Sequence, residues 1–305
     1  MNIDSNLVIQ SLISARHSSQ WKVDRLVPMV SGRDNLVYID STRSYIVKVY
    51  LVKSLQDVQQ EYKLIRYLCS QGFPTSTAID SGRLTINGHI YPFLVFKYVV
   101  HDEIDLRKAQ PLTRIGSVAD ALAKLHELTS NYPRPYSQSR TLHSDIDKLL
   151  TRVSTGKSTA INRAELVQDL EWALKFVGQF KGEDCIIHND FRANNLLFHK
   201  GEVAAVIDFE WAIASPSRLK DVGHAALEWS FLDGAHMDWT KYKSFIQAYE
   251  KASHAKINSQ LIIQWSMFAA LADAAYYFLC YPSRTTEQFN SFMYDKFKIL
   301  KNNVA

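Results

Sequence analysis

The first hundred residues alternate short apolar runs with clusters of turn residues. Leu26 to Val30 is apolar, Ser31-Gly32-Arg33-Asp34-Asn35 interrupts it, and Leu36-Val37-Tyr38-Ile39 resumes. Asp40-Ser41-Thr42-Arg43-Ser44 interrupts again before Tyr45-Ile46-Val47-Lys48-Val49-Tyr50. Short β-branched and aromatic runs between turn clusters predict antiparallel strands. A helical period then takes over. Val58, Tyr62, Ile65 and Leu68 share one face of a helix over residues 55–71, which Gly72 and Pro74 stop. Two further strands are expected at 81–86 and 91–98, joined by an Asn87-Gly88 turn.

After Val100 the pattern changes. Ile115, Val118, Ala119, Leu122 and Leu125 place a helix over 114–128. Residues 131–139, rich in Pro, Tyr and Ser, read as loop. Helices are expected at 145–152 and 164–180, short strands at 186–188 and 203–209, and helix from Leu219 onward. The reading is an α+β chain: residues 1–97 as an N-terminal lobe, 98–101 as a hinge, and 102–305 as a larger, mainly helical lobe. The most apolar stretch, Leu261 to Pro282, includes Asp273. An aspartate at the centre of a spanning helix costs about 2.5–3.5 kcal/mol, so a core helix is expected there instead.

Composition narrows the class. The 305 residues are 47% hydrophobic and 22% charged, which fits a globular chain of about two domains and excludes disorder, collagen and coiled coil. Thirty-five Lys and Arg against 31 Asp and Glu leave +4, too small an excess to argue for a nucleic-acid partner. Cys69, Cys185 and Cys280 lie far apart, without metal spacing, as expected of free thiols in a reducing compartment. The start, Met-Asn-Ile-Asp-Ser-Asn, lacks a basic region followed by an apolar one, so a cytoplasmic location is expected.

The chemistry concentrates in His188-Asn189-Asp190-Phe191-Arg192-Ala193-Asn194-Asn195, followed by Ile207-Asp208-Phe209-Glu210. An isolated aspartate ordinarily caps a turn. Two aspartates and an asparagine at strand ends, in the second part of a β-then-α chain, suit phosphoryl transfer. One carboxylate orients a hydroxyl and takes its proton; the other, with the amide oxygen, holds Mg²⁺ against phosphates.

This pattern resembles the aminoglycoside phosphotransferase and choline kinase family, over residues from about Val23 to Tyr249. The resemblance implies a protein-kinase-like bilobal fold, ATP and Mg²⁺ as cofactors, and a small-molecule hydroxyl as acceptor. It implies Asp190 as catalytic base, Asn195 and Asp208 as magnesium ligands, and His188 as a brace of the loop. Arg192 is either a cation on the transferred phosphoryl group or a surface ion pair. Lys48 with Glu61 resembles the strand lysine and helix glutamate that hold the α- and β-phosphates. Ser31, Gly32 and Asn35 would form the phosphate-covering loop, although one glycine fits an ordinary hairpin nearly as well. Tyr98 and Val99 would meet adenine at the hinge. His126 and Asp221 are expected to be structural, Asp221 as a brace of the catalytic loop.

Glu210 in place of the glycine of Asp-Phe-Gly, with no Ala-Pro-Glu after it, argues against a protein substrate. Between Asp221 and Thr240 stand Asp221, Glu228, Asp233 and Asp238 with no Lys or Arg, interleaved with Trp229, Phe231 and Trp239. Trp211, Asp273, Tyr276 and Tyr277 add to the set. Acids among aromatics suit an ammonium group; solvated acids and core aromatics are the plainer alternative. The expected acceptor is cationic: an aminoglycoside, a choline-like alcohol or a specialised-pathway intermediate. Its site residues would be Trp211, Glu228, Trp229, Asp238, Asp273 and Tyr277. The alternatives are a homoserine-kinase-like enzyme, whose substrate carboxylate would need Arg218 or Arg284, and a catalytically silent nucleotide-binding regulator. No nucleic-acid, membrane or obligate protein partner is expected.

Overall fold

A computed structural model describes residues 5–14, 21, 25–29, 34–103, 112–133, 135–136, 140–155, 163–231, 236–280 and 294–303. The chain divides into two compact units. The first is Met1–Asp102 with Leu197–His199 and Ala204–Glu210; the second is Glu103–Leu196, Lys200–Val203 and Trp211–Ala305.

The first unit opens with helix α1 (Ser5–Ser14). Strands β1 (Leu26–Pro28), β2 (Asn35–Asp40) and β3 (Tyr45–Tyr50) follow, then helix α2 (Leu55–Ser70) and the hairpin β4 (Ala78–Ile86) and β5 (His89–Lys97). All pairings are antiparallel, in the order β1-β2-β3-β5-β4. Successive strand residues face opposite sides of a sheet. Val47 and Val49 therefore join Phe93 and Val95 in one core with Val8 and Leu12 of α1. Tyr50 and Leu94 face the other way, against Val58 of α2. Lys48, opposite Val37 and Leu94 on the central strand, shares that second side. Ser54 caps α2 by accepting from the Asp57 amide, and Val58, Leu64, Ile65 and Leu68 are buried on its inner face. The hairpin turn has Asn87 at φ 51° and Gly88 at φ 78°, the left-handed pair that a two-residue loop between twisted strands requires. Helix α1 was not foreseen; its buried Val8 and Leu12, one turn apart, are the pattern that marks it.

The second unit is mainly helical: α3 (Ile115–Ser130), α4 (Leu142–Thr155) and α5 (Arg163–Val177). The short strand β6 (Cys185–Ile187) follows. A two-stranded ladder, β7 (Leu196–His199) with β8 (Glu202–Val206), comes next, most of its residues belonging to the first unit; β9 (Ile213–Ser215) then pairs with β6. The chain continues through α6 (Leu219–Ser230), α7 (Trp239–Ser253), α8 (Ser259–Cys280) and a helix over 294–303. Helix α4 begins earlier than expected because Thr141 caps it, its hydroxyl accepting from the Ser144 amide at 3.0 Å. The strand expected over 203–209 ends at Val206, before Asp208 turns left-handed at φ 69°. Helix α8 is a core helix, with Ile262, Trp265, Phe268 and Leu271 buried. Gly223 lets α6 and α8 approach closely: a Cβ there would stand 2.8 Å from the Ser266 amide. Asp169 of α5 ties down the last helix, accepting from Tyr294 Oη at 2.5 Å and Lys301 Nζ at 2.6 Å. Among the described residues no helix is long and apolar enough to cross a membrane.

Candidate active site

A cavity of about 360 Å³ lies within the first unit. Asn35, Lys48, Glu61, Tyr98, Val99 and Asp208 all line it, and Val37, Ile46, Phe96 and Ile207 supply apolar walls. Asp208 reaches it because Ala204–Glu210 belongs to this unit. The Val206 amide donates to the Pro74 carbonyl at 2.8 Å, and the Thr75 hydroxyl donates to the Val206 carbonyl at 2.7 Å. Just beyond, Asp208 takes a backbone conformation uncommon for a residue with a Cβ, a strain that tends to collect at functional sites.

Lys48 Nζ lies 2.5 Å from Asp208 Oδ1 and 3.0 Å from Glu210 Oε2. Burial opposes its charge, but the carboxylates of Asp208, Glu210 and Glu61 outweigh burial and hold the ammonium well above the ordinary lysine value. The direct ion pairs of Lys48 run to Asp208 and Glu210, while Glu61 acts on it as a further carboxylate nearby. Glu61 sits buried nearby, where burial pushes its carboxyl up to about 7 against the pull of Lys48. Glu210 was missed as a site residue. Its Oε2 also accepts from Asn35 Nδ2 at 2.7 Å, so one buried carboxylate joins the start of β2 to Lys48. The signal was present, an acid where protein kinases have glycine.

At the expected hinge the Tyr98 amide donates to the Ser44 carbonyl at 2.8 Å, and His101 Nδ1 lies 2.8 Å from the Val99 carbonyl. Both residues line the larger cavity. Ser31 and Gly32 lie outside the described residues.

The segment expected to be the catalytic loop, His188 to Asn195, lies in the second unit. Asn189 is left-handed at φ 66°, which asparagine tolerates better than most residues. Asp221 braces the bend from α6, accepting from the His188 amide at 2.7 Å and the Asn189 amide at 2.9 Å. Lys220 Nζ donates to the Asn189 carbonyl at 2.9 Å. Asp190 is clasped by Arg192 Nη2, 2.8 Å from its Oδ1, and by Asn195 Nδ2, 2.8 Å from its Oδ2. Burial raises the Asp190 carboxyl above the usual range, and Arg192, His224 and His188 counter it.

A second cavity, about 110 Å³, opens beside Asp190. Arg192, Trp211, Lys220, Asp273 and Tyr276 line it, together with Arg140 and Asp145, which sequence reasoning missed. Of the expected acceptor residues, Trp211 and Asp273 are here. Glu228 and Trp229 are not among its lining. Glu228 is ion-paired with Lys296 at 2.8 Å, and Trp229 is buried in α6. Asp238 is the N-cap of α7, accepting from the amides of Thr240 and Lys241, a structural task. The Tyr277 side chain lies outside the described residues.

A family model described as the phosphotransferase enzyme family matches residues 25–252. The chain belongs to this family. Its fold is protein-kinase-like. Solved structures of similar fold include an amicoumacin kinase in complex with AMP-PNP, Ca²⁺ and Ami (TM-score 0.76, 14% identity, 98% of this chain and 94% of that one). A microcompartment-associated aminopropanol kinase is another (TM-score 0.68, 15% identity, 99% and 98%). A thermostable mutant of aminoglycoside phosphotransferase APH(4)-Ia is similar to the same degree (TM-score 0.68, 15% identity, 97% and 99%). Among curated proteins, acyl-CoA dehydrogenase family member 11 of Pongo abelii is 23% identical over 186 residues, 58% of this chain and 24% of that protein. Its Mus musculus counterpart is 21% identical over 212 residues, 65% of this chain and 27% of that protein. The chain therefore spans about a quarter of the length of the curated relatives it matches.

Proposed function

We propose that this phosphotransferase moves the γ-phosphoryl group of ATP to a hydroxyl of a small molecule, with Mg²⁺ as the metal. Residues 1–97 serve as the nucleotide lobe, 98–101 as the hinge and 102–305 as the lobe that presents the acceptor. The observation that carries the reading is Asp190: a half-buried carboxylate, held by Arg192 and Asn195, on the wall of a cavity large enough for a small alcohol.

Adenine would bond to the Tyr98 carbonyl and the Val99 amide, between the apolar walls of the larger cavity. Lys48 would turn from Asp208 towards the α- and β-phosphates, with Glu61 and Glu210 keeping it charged. Asn35 is the described member of the phosphate-covering loop, which Ser31 and Gly32 would complete. Asn195 and Asp208 are the proposed Mg²⁺ ligands. Both offer hard oxygen donors; Asn195 Nδ2 bonds to Asp190, which leaves Oδ1 for a cation. Among the described residues no three His, Cys, Asp or Glu side chains form a cage of their own. When bound, the ion neutralises charge on the transferring group. Asp190 orients the acceptor hydroxyl and takes its proton, and Arg192 passes from Asp190 to the developing negative charge. The amicoumacin kinase solved with AMP-PNP and Ca²⁺ supports a nucleotide triphosphate and a divalent cation here.

The homoserine-like alternative needs an arginine for its substrate carboxylate. Arg218 is held bidentately by Asp184, at 2.8 and 2.6 Å, and Arg284 lies outside the described residues. The test is ADP release from MgATP across a panel of aminoglycosides, amino alcohols, hydroxy amino acids and neutral alcohols, with Asp190→Asn as control. Release with one class, lost in the control by roughly 10²–10⁴-fold, is the expected result. Tight MgATP binding with no release for any compound would favour the silent regulator.

A further inference from the structure

The acids expected to receive a cationic acceptor already have partners inside the protein. Glu228 is paired with Lys296, and Asp238 caps α7. Asp273 Oδ2 lies 3.0 Å from His224 Nε2. The same holds for the other two carboxylates that line the cavity: Asp190 faces Arg192, and Asp145 faces Arg140.

Arg140 is the informative member. Its Nε and Nη2 donate to the two Asp145 oxygens at 3.1 and 2.5 Å. Its guanidinium carbon lies 4.3 Å from the centroid of the Trp211 ring. Trp211 is set edge-to-face against Tyr276, at 5.4 Å between centroids. An aromatic face flanked by a carboxylate is the arrangement that takes an alkylammonium from a ligand. Here a side chain of the protein fills it.

We propose that Arg140 is a built-in cation that occupies the ammonium site formed by Trp211 and Asp145, and so makes the acceptor a compact alcohol with an uncharged body. The rest of the cavity agrees. Leu142, Ile146, Leu149, Phe268 and Ala272 give it an apolar wall, and its volume is under a third of the nucleotide cavity's, about 110 against 360 Å³. Its three carboxylates are matched by Arg140, Arg192 and Lys220, which leaves no excess field for a polycation. The cationic acceptor expected from sequence is replaced by this reading, because acids and aromatics that are interleaved along the chain turn inward to separate partners. The inference rests on the proposed phosphotransferase activity only for calling the ligand an acceptor.

The test is therefore binding without nucleotide. Choline and 3,3-dimethylbutan-1-ol have the same shape and differ by one charge. Calorimetric or ligand-observed NMR titration of the wild-type protein is expected to give about tenfold tighter binding of the neutral compound. Arg140→Ala exposes the Trp211 face and frees Asp145, so it should reverse the preference by about tenfold or more. Arg140→Lys keeps a cation beside Asp145 and should retain the wild-type order. Wild-type preference for choline overturns the proposal, as does a folded Arg140→Ala protein that gains no choline binding. So does the absence of binding of either compound to every form. Should Arg140→Ala fail to fold, the wild-type choice between the two compounds decides alone. Absence of ADP release, by contrast, would count against the activity and not against this binding order.

Discussion

Two backbone amides of the proposed catalytic loop, those of His188 and Asn189, depend on one carboxylate. A buried amide without an acceptor costs about 1–3 kcal/mol, so Asp221 matters more than its distance from any substrate suggests. Burial works against its charge, yet His126, Lys220 and His188 around it bring its carboxyl down to about 2 from the ordinary 3.8. A depressed value contributes stability that is present above the unfolded value and is lost as pH falls through the folded one. Asp221→Asn should therefore unfold more easily than wild type by about 2 kcal/mol at neutral pH. Urea titrations should show that gap holding down to about pH 4 and closing as pH falls to about 2; a gap independent of pH would refute the role. Asp190 presents the opposite sign, since its carboxyl is raised by burial and held back by Arg192. In Arg192→Ala that restraint is gone, and the acidic limb of the kcat/KM profile should move to higher pH. An unmoved limb would mean that the limb belongs to another group.

At the scale of elements, α2 carries a cost within its packing. Glu61 is buried on the face that also buries Val58, Leu64, Ile65 and Leu68. Burial pushes its carboxyl up to about 7 from 4.5, with Lys48 opposing. A raised value contributes stability that is present below the unfolded value and is lost as pH rises through the folded one. Glu61→Gln has no such dependence. Its stability relative to wild type should climb between about pH 4.5 and 7 and then level, by a total on the order of 3 kcal/mol. Paired thermal melts across that range would detect it, and parallel curves would contradict it. The strands and α2 were legible in the sequence because period and punctuation are local there: alternation, Asn87-Gly88, Gly72 and Pro74. The catalytic loop was legible for the same reason, being one contiguous segment. The cavity proposed for the acceptor was not. Its walls come from α4, the loop at Asn189, Trp211, α6 and α8, and nothing near Arg140 or Asp145 marks them as partners of Trp211. Asp238 misled for a related reason: an acid just before a helix is first of all a cap.

For the whole molecule, sequence identities of 14–15% accompany TM-scores of 0.68–0.76. The fold tolerates that divergence because core positions ask only for apolar volume, whereas a polar group that must meet a phosphate or a proton has few substitutes. The two cavities can then be separated by mutation, since their side chains belong to different units. A ligand that binds only the folded state stabilises it by about 2.7 kcal/mol at a hundred times its Kd, a Tm increase of several degrees for a chain of this size. MgATP should produce that shift in the wild-type protein. Lys48→Ala removes the cation shared by Asp208, Glu210 and Glu61, so this variant should lose most of the shift and start from a lower Tm. Asp190→Asn lines the other cavity, so it should keep the shift while losing transfer. If both variants lost the MgATP shift equally, the division of labour between the cavities would be wrong, and Asp190 would have to be placed in nucleotide binding as well. If Asp190→Asn kept both the shift and the transfer, the proton would have to leave the acceptor by another group. Among the carboxylates lining that cavity the alternatives are Asp273, already against His224, and Asp145, already against Arg140.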